Sequence, residues 1–145
     1  MAMTAGAMIA CSRGESAVKV AVPEPGNAVR RACEQLATQL PDSLGGELSR
    51  RRTDPASPLI AAWGSPAVVL RCGVPIDPAY TTGDQVIEVG ASGATVRWYA
   101  AERDHRAVWS TPLATVHVEL SVPGKYQGAE LLARLTPSVS GARLF

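Results

Sequence analysis

The sequence predicts an α+β domain of two layers, in which a mostly antiparallel sheet carries an N-terminal and a C-terminal helix on one face. Three observations predict it: an apolar stripe at helical spacing near the start, a series of short alternating segments separated by turn residues, and a second apolar stripe near the end. Strands joined by consecutive hairpins pair antiparallel, and helices at the two ends then cover the sheet. We place a single domain at residues 18–137, between a leader and tether at 1–17 and a flexible tail at 138–145.

The first predicted helix follows an extended segment, residues 18–26, which two prolines interrupt. Asn27 is a favourable N-cap, and Pro41 ends the helix because proline cannot continue it. Between them, apolar side chains fall at i, i+4, i+7 and i+11, which is one helical face. They are Val29, Cys33, Leu36 and Leu40. We therefore expect Cys33 to point into the core.

The middle of the chain predicts an edge of the sheet followed by a central strand. Residues 47–52 read as a short edge strand, whose arginines discourage association with other chains. Residues 57–62 are predicted to form a short helix that ends at Trp63. Residues 67–73 alternate as a strand, which places Val68, Leu70 and Cys72 on one face.

The second half predicts a loop, a run of hairpins and a last helix. The loop covers residues 74–83, and the strands that follow it are 84–89, 95–102, 107–111 and 115–122. The last strand alternates cleanly, so we expect its valines and Leu120 to face inward and both His117 and Glu119 to face outward. The final helix is predicted over residues 126–136.

The N-terminal segment resembles the lipobox of a bacterial lipoprotein, in which a cysteine becomes lipid-modified. Residues 1–10 are small and apolar, residues 12–17 are polar, and Cys11 stands at the junction. This pattern predicts export, with a lipid at Cys11 that anchors the protein to the outer face of the cell membrane. The apolar part is short and follows no lysine or arginine, so an uncleaved leader or an incidental cysteine is the alternative.

Cys33 and Cys72 lie on the inward faces of the first helix and the central strand, so their sulfurs can meet if the helix packs on that strand. A disulfide is one interpretation, and a pair of buried free thiols is the other. The compartment decides between them, because disulfides persist in oxidising environments and are rare in the cytosol. The lipobox-like start favours the disulfide.

The run AWGSPAVVLRCGVP, residues 62–75, resembles the centre of a family of small exported actinobacterial proteins of unknown function. A cysteine-bearing helix that ends in Leu40 and Pro41 and the closing run VHVELSVPGKY, residues 116–126, are similar to the same family. The resemblance implies an envelope location, a membrane association or lipid anchor, and a cysteine pair. It implies no catalytic residues.

The composition and the motifs argue against several function classes. The 14 basic and 13 acidic side chains leave a net charge of +1, so the chain has no field that would attract nucleic acid. The sequence contains no phosphate-binding glycine loop, no nucleophile elbow and no spacing typical of metal ligands, which predicts a non-catalytic protein without cofactor or metal. The favoured hypothesis is an exported envelope lipoprotein that binds a partner or assists a membrane complex. The alternative is a module that binds a small ligand or a lipid on the open sheet face.

Two groups of residues are candidates for contact with other molecules. A binding surface on the uncovered sheet face and the adjoining loop would use Arg71, Tyr80, Arg97 and Tyr99. The basic run Arg50, Arg51 and Arg52 is either a solvated strand edge or a contact with anionic lipid headgroups.

Overall fold

A computed structural model of the chain describes residues 15–75, 86–113 and 116–141. The predicted α+β class is confirmed: helices near the two ends accompany a seven-stranded antiparallel sheet. In chain order the elements are β1 (Val18–Lys19), α1 (Asn27–Gln39), β2 (Arg50–Arg51), β3 (Thr53–Asp54), β4 (Ile60–Trp63), β5 (Val68–Cys72), β6 (Val86–Ala91), β7 (Ala94–Arg103), β8 (Arg106–Leu113), β9 (Val116–Pro123) and α2 (Gly128–Gly141).

The sheet joins a hairpin to a meander. Its strand order is β2-β4-β5-β9-β8-β7-β6, and all neighbours pair antiparallel. Strands β6 to β9 form the meander, and β9 returns to pair with β5, which belongs to the β4–β5 hairpin. A separate two-stranded parallel sheet pairs β1 with β3.

The core lies between one face of the sheet and the two helices. Alternation along β5 and β9 sends Val68, Leu70 and the buried Leu120 to this face. Helix α1 contributes Leu36, and α2 contributes three leucines and a valine that are almost fully buried: Leu131, Leu132, Leu135 and Val139. Trp63 is also fully buried, and its indole Nε1 donates a hydrogen bond of 2.9 Å to the Pro41 carbonyl at the end of α1.

A disulfide between Cys33 of α1 and Cys72 of β5 fastens the helix layer to the sheet, as the favoured interpretation of the sequence predicts. The two Cα atoms lie 5.7 Å apart, within the usual range for a disulfide. Each cysteine is 1% exposed, so the bond lies inside the core rather than on the surface.

Three local predictions were wrong. The predicted helix at 57–62 is absent: its last residues belong to β4, where Ala61 and Ala62 are fully buried between neighbouring strands. The second helix continues to Gly141, because its last turn buries Val139 in the core. His117 points away from the helices as predicted, but its side chain is buried rather than solvated, because it packs against the segment at Pro75.

The helix N-terminus also differs by one residue, since Gly26 is the N-cap and Asn27 is already helical. Among the described residues, neither helix is long and apolar enough to cross a bilayer.

Candidate binding face of the sheet

The sheet face that points away from α1 and α2 carries most of the polar side chains of the sheet, and we call it the open face. Because Leu70 and Cys72 point to the helices, Arg71 between them points to the open face. The strand register then places one row of side chains across six neighbouring strands, from β4 to β6. In the order of these strands, the row is Ile60, Arg71, Glu119, Ser110, Tyr99 and Val86.

Glu119 is the centre of a charged network in this row. Its side chain is only 11% exposed, and its two carboxylate oxygens accept hydrogen bonds from two arginines. Arg71 Nη1 lies 3.4 Å from one oxygen, and Arg103 Nη2 lies 3.1 Å from the other. A desolvated carboxylate is stable only when such partners compensate it, so the three side chains hold one another in place.

Arg71 also connects the network to the N-terminal segment. Its Nε donates a hydrogen bond of 3.0 Å to the backbone carbonyl of Ala21. Between the segment Val18–Ala21 and strands β5, β8 and β9 lies a cavity of about 380 Å³, which we call the N-terminal groove. Its lining includes Lys19, Arg71, Arg106, Glu119 and Ser121.

Arg106 is fixed along one side of this groove by neutral acceptors. It donates to Ser121 Oγ at 2.6 Å, to the Ala67 carbonyl at 2.6 Å and to the Ser121 carbonyl at 3.3 Å. Partial burial lowers the pKa of Arg106, and no carboxylate opposes this shift. Arg106 is therefore a partly desolvated cation that forms no ion pair with any described residue.

Ser110 and His117 lie near Glu119 on the same face of the sheet. Ser110 is fully buried, and its Oγ has no hydrogen-bond partner in the described part of the chain. His117 is 4% exposed, and its Nδ1 lies 3.1 Å from the Pro75 carbonyl. The serine hydroxyl is thus not hydrogen-bonded to a base, and Glu119 is engaged by arginines instead of orienting the imidazole.

The predicted binding residues lie together where the structure describes them. Arg71 and Tyr99 belong to the same row, and Arg97 is on the same face of β7. Arg97 pairs with Glu88 at 3.1 Å on the exposed end of the sheet, and hydrogen bonds with Glu88 and Tyr99 raise its pKa. Tyr80 lies outside the described residues. The other three lie on one face of the sheet, and their binding role stays a prediction.

The sequence pattern did not point to Arg103, Arg106 or Ser110, and it indicated Glu119 only as an outward residue. The alternation in β9 was the available signal, since it places Glu119 on the open face. Its two arginine partners come from β5 and β7, which are distant in sequence.

Residues 1–142 match the family model described as a protein of unknown function, DUF3515. The chain belongs to the DUF3515 family. No curated protein and no solved structure matches it. The resemblance to an uncharacterised family is therefore confirmed at this level, whereas the actinobacterial origin and the export of the family stay predictions. The DUF3515 match includes both disulfide cysteines and the whole open face.

The basic run of this DUF3515 chain divides into side chains with different surroundings. Arg51 is 12% exposed and binds Glu15 at 3.3 Å, the Ser16 carbonyl at 2.6 Å and the Gly64 carbonyl at 3.0 Å. Arg50 stacks over Trp63 at 5.1 Å, and burial lowers its pKa although Asp42 opposes the shift. Arg52 is exposed. Arg50 and Arg52 are thus exposed to solvent, where the predicted contact with lipid headgroups would take place, while Arg51 binds the N-terminal segment.

Within the described ranges, no three side chains of histidine, cysteine, aspartate or glutamate form a group that could hold a metal ion. Cys11, the predicted lipidation residue, lies outside the described residues.

Proposed function

We propose that this protein is an exported, lipid-tethered accessory protein of the bacterial cell envelope, which binds a partner through its open face and catalyses no reaction. The observation that carries the proposal is the disulfide between Cys33 and Cys72. Disulfides of this kind are typical of oxidising compartments and rare in the cytosol. A buried disulfide that joins two layers supports a location outside the cytosol.

The tether is supported by the sequence at Cys11 and by the contacts that begin four residues later. Glu15 and Ser16 are held against Arg51, so the chain is fixed to the domain from this point. Four extended residues span at most about 14 Å. A lipid on Cys11 would thus hold the arginine end of the sheet close to the membrane, where Arg50 and Arg52 would each contribute about 1 kcal/mol on anionic lipid.

Binding through the open face is supported by its rigid charged network. Glu119, Arg71 and Arg103 are held in a fixed geometry across strands, which suits recognition of a partner. Burial of the opposite sheet face beneath α1 and α2 leaves the open face as the polar surface of the sheet. The engagement of Glu119 by two arginines, with Ser110 Oγ lacking a base, supports binding rather than catalysis.

The lipid tether is tested on the protein made in its own cells. Mass spectrometry of the membrane fraction is expected to show a diacylglyceryl group on Cys11, and Cys11→Ser is expected to move the protein out of that fraction. Cys11→Ala also removes the thiol and is expected to leave the membrane fraction in the same way. An unmodified Cys11 in wild-type protein, with no change of fraction in either variant, would contradict the tether.

The partner role is tested by affinity purification in mild detergent. Wild-type protein is expected to retain a stoichiometric protein partner, and the open-face variant Arg97→Glu is expected to lose it. Arg31→Glu, on the exposed side of α1, is the matched charge-reversal control and should retain the partner. Co-purification of small molecules without any protein would instead support the alternative module that binds a small ligand or lipid, for which the N-terminal groove of about 380 Å³ on the open face offers a site.

A further inference from the structure

The N-terminal groove has an excess of positive charge that the described side chains do not neutralise. Three of its lining residues are cations, Lys19, Arg71 and Arg106, and only Glu119 is an anion. Glu119 is already shared between Arg71 and Arg103. Neither Lys19 nor Arg106 makes an ion pair with any described residue. An anionic group entering the groove would meet two cations with no competing carboxylate of their own.

The same groove contains a free strand edge. Strand β1 pairs with β3 through the N–H groups of Val18 and Val20, which donate to the Arg52 carbonyl at 2.9 Å and the Asp54 carbonyl at 3.2 Å. Since backbone groups alternate along a strand, the N–H and carbonyl of Lys19 point to the opposite edge. Ala21 has the same orientation as Lys19, and its carbonyl accepts the bond from Arg71. The free edge of β1 therefore faces the groove.

We propose that the N-terminal groove binds an extended acidic peptide segment of a protein partner. The peptide backbone pairs with the free edge of β1 at Lys19, as in other cases where a peptide adds a strand to a sheet edge. A glutamate or aspartate side chain of the peptide forms an ion pair with the guanidinium of Arg106, which hydrogen bonds to Ser121 and Ala67 hold in position. This proposal rests on the proposed partner-binding role of the open face and names the chemistry of that partner.

A peptide fits these observations better than a free anion or a lipid headgroup. A headgroup phosphate can accept hydrogen bonds from the cations and from the backbone N–H of Lys19, but it has no donor for the backbone carbonyl. An extended peptide uses both, and charge pairing at Arg106 sets its position along the strand edge. The groove volume of about 380 Å³ suits a short stretch of peptide.

The test uses the full chain purified in detergent and two peptides that carry fluorescein on the N-terminal amine, fluoresceinyl-Val-Glu-Val-Glu-Val-amide and the same peptide with glutamine in place of glutamate. Anisotropy titration at low salt is expected to show binding of the glutamate peptide and at least tenfold weaker binding of the glutamine peptide. Affinity for the glutamate peptide should fall as salt rises.

Variants separate the groove from other charged positions on the surface. Lys19→Glu, at an exposed position, is expected to weaken binding of the glutamate peptide at least fivefold, and Arg106→Gln at least tenfold. Arg31→Gln removes an exposed arginine of α1, outside the groove, and is expected to leave the affinity unchanged.

Three results would overturn the proposal: equal affinity for the two peptides, no binding of the glutamate peptide, or an unchanged affinity in Lys19→Glu. Full displacement of the peptide by equimolar inorganic phosphate or by phosphatidylglycerol vesicles would assign the groove to free anions or to headgroups and would also overturn it. If Lys19→Glu retains the affinity-purified partner while Arg97→Glu loses it, the groove proposal fails and the proposed function stands.

Discussion

Removal of the disulfide tests the architecture most sharply, because the bond joins the two layers of the fold. In the double variant Cys33→Ala/Cys72→Ala, the unfolded chain loses a cross-link with a sequence separation of 39 residues. The chain-entropy relation gives a loss of about 4 kcal/mol for a loop of this length. With an unfolding entropy of about 2.1 cal/mol/K per residue over the whole chain, this loss lowers Tm by about 13 °C.

Circular dichroism at 222 nm measures this Tm for wild type and variant with and without a phosphine reductant. Reductant is expected to lower the Tm of wild type toward that of the variant and to leave the variant unchanged. Cys11→Ser is the control for loss of a cysteine, and its Tm should equal that of wild type. A Tm fall below about 3 °C in the double variant would refute the reasoning, since the cross-link would then add almost nothing to stability.

Three further changes test local features of the structure by urea denaturation. Gly64→Ala should lower the free energy of unfolding by about 2 to 3 kcal/mol, because Gly64 has φ +73° and a Cβ there would meet the Leu48 side chain. Gly93→Ala, with φ +78° and open space around it, should lower it by about 1 kcal/mol. Equal losses in the two variants would contradict the close approach of Leu48 to Gly64. Glu119→Gln should lower the free energy of unfolding by about 1 to 2 kcal/mol, since two partly hydrated arginines lose their shared carboxylate. The exposed Glu88→Gln is the control and should lower it by less than about 0.5 kcal/mol. A larger loss in Glu88→Gln than in Glu119→Gln would disprove the network. Ser110→Ala should be neutral or stabilise by up to about 1 kcal/mol, because its buried hydroxyl has no partner, and a clear loss of stability would show that the hydroxyl is bonded.

The regular strands could be predicted from the sequence because their alternation is local. Strands β5, β7 and β9 alternate apolar and polar residues, and their predicted bounds differ from the observed ones by at most one residue. Strand β4 gave no such signal. Its residues Ile60 to Trp63 are all buried, so the strand lacks alternation, and two alanines in sequence favour a helix on propensity alone. Tertiary packing overrides that preference.

The candidate site could be predicted only in part, because it depends on pairings between distant strands. Alternation placed Glu119 and His117 on the correct face of β9, but it could not show that they are buried. The pairing of β9 with β5 brings Arg71 to Glu119 across 48 residues of sequence, and His117 is covered by the segment at Pro75. A pattern within one strand contains no information about this pairing. The N-terminal groove was missed for the same reason, since β1 reaches it only by pairing with β3.

The state of the two inner cysteines in the living cell is the most direct test of the account. Cells that make the protein are treated with an alkylating reagent before lysis, and the protein is digested with trypsin without reduction. Cleavage after arginine releases Cys33 in the peptide 32–50 and Cys72 in the peptide 72–97. We expect one species that joins these two peptides and separates on reduction. Recovery of both peptides singly, each alkylated at its cysteine, would contradict the disulfide and the location outside the cytosol that it supports.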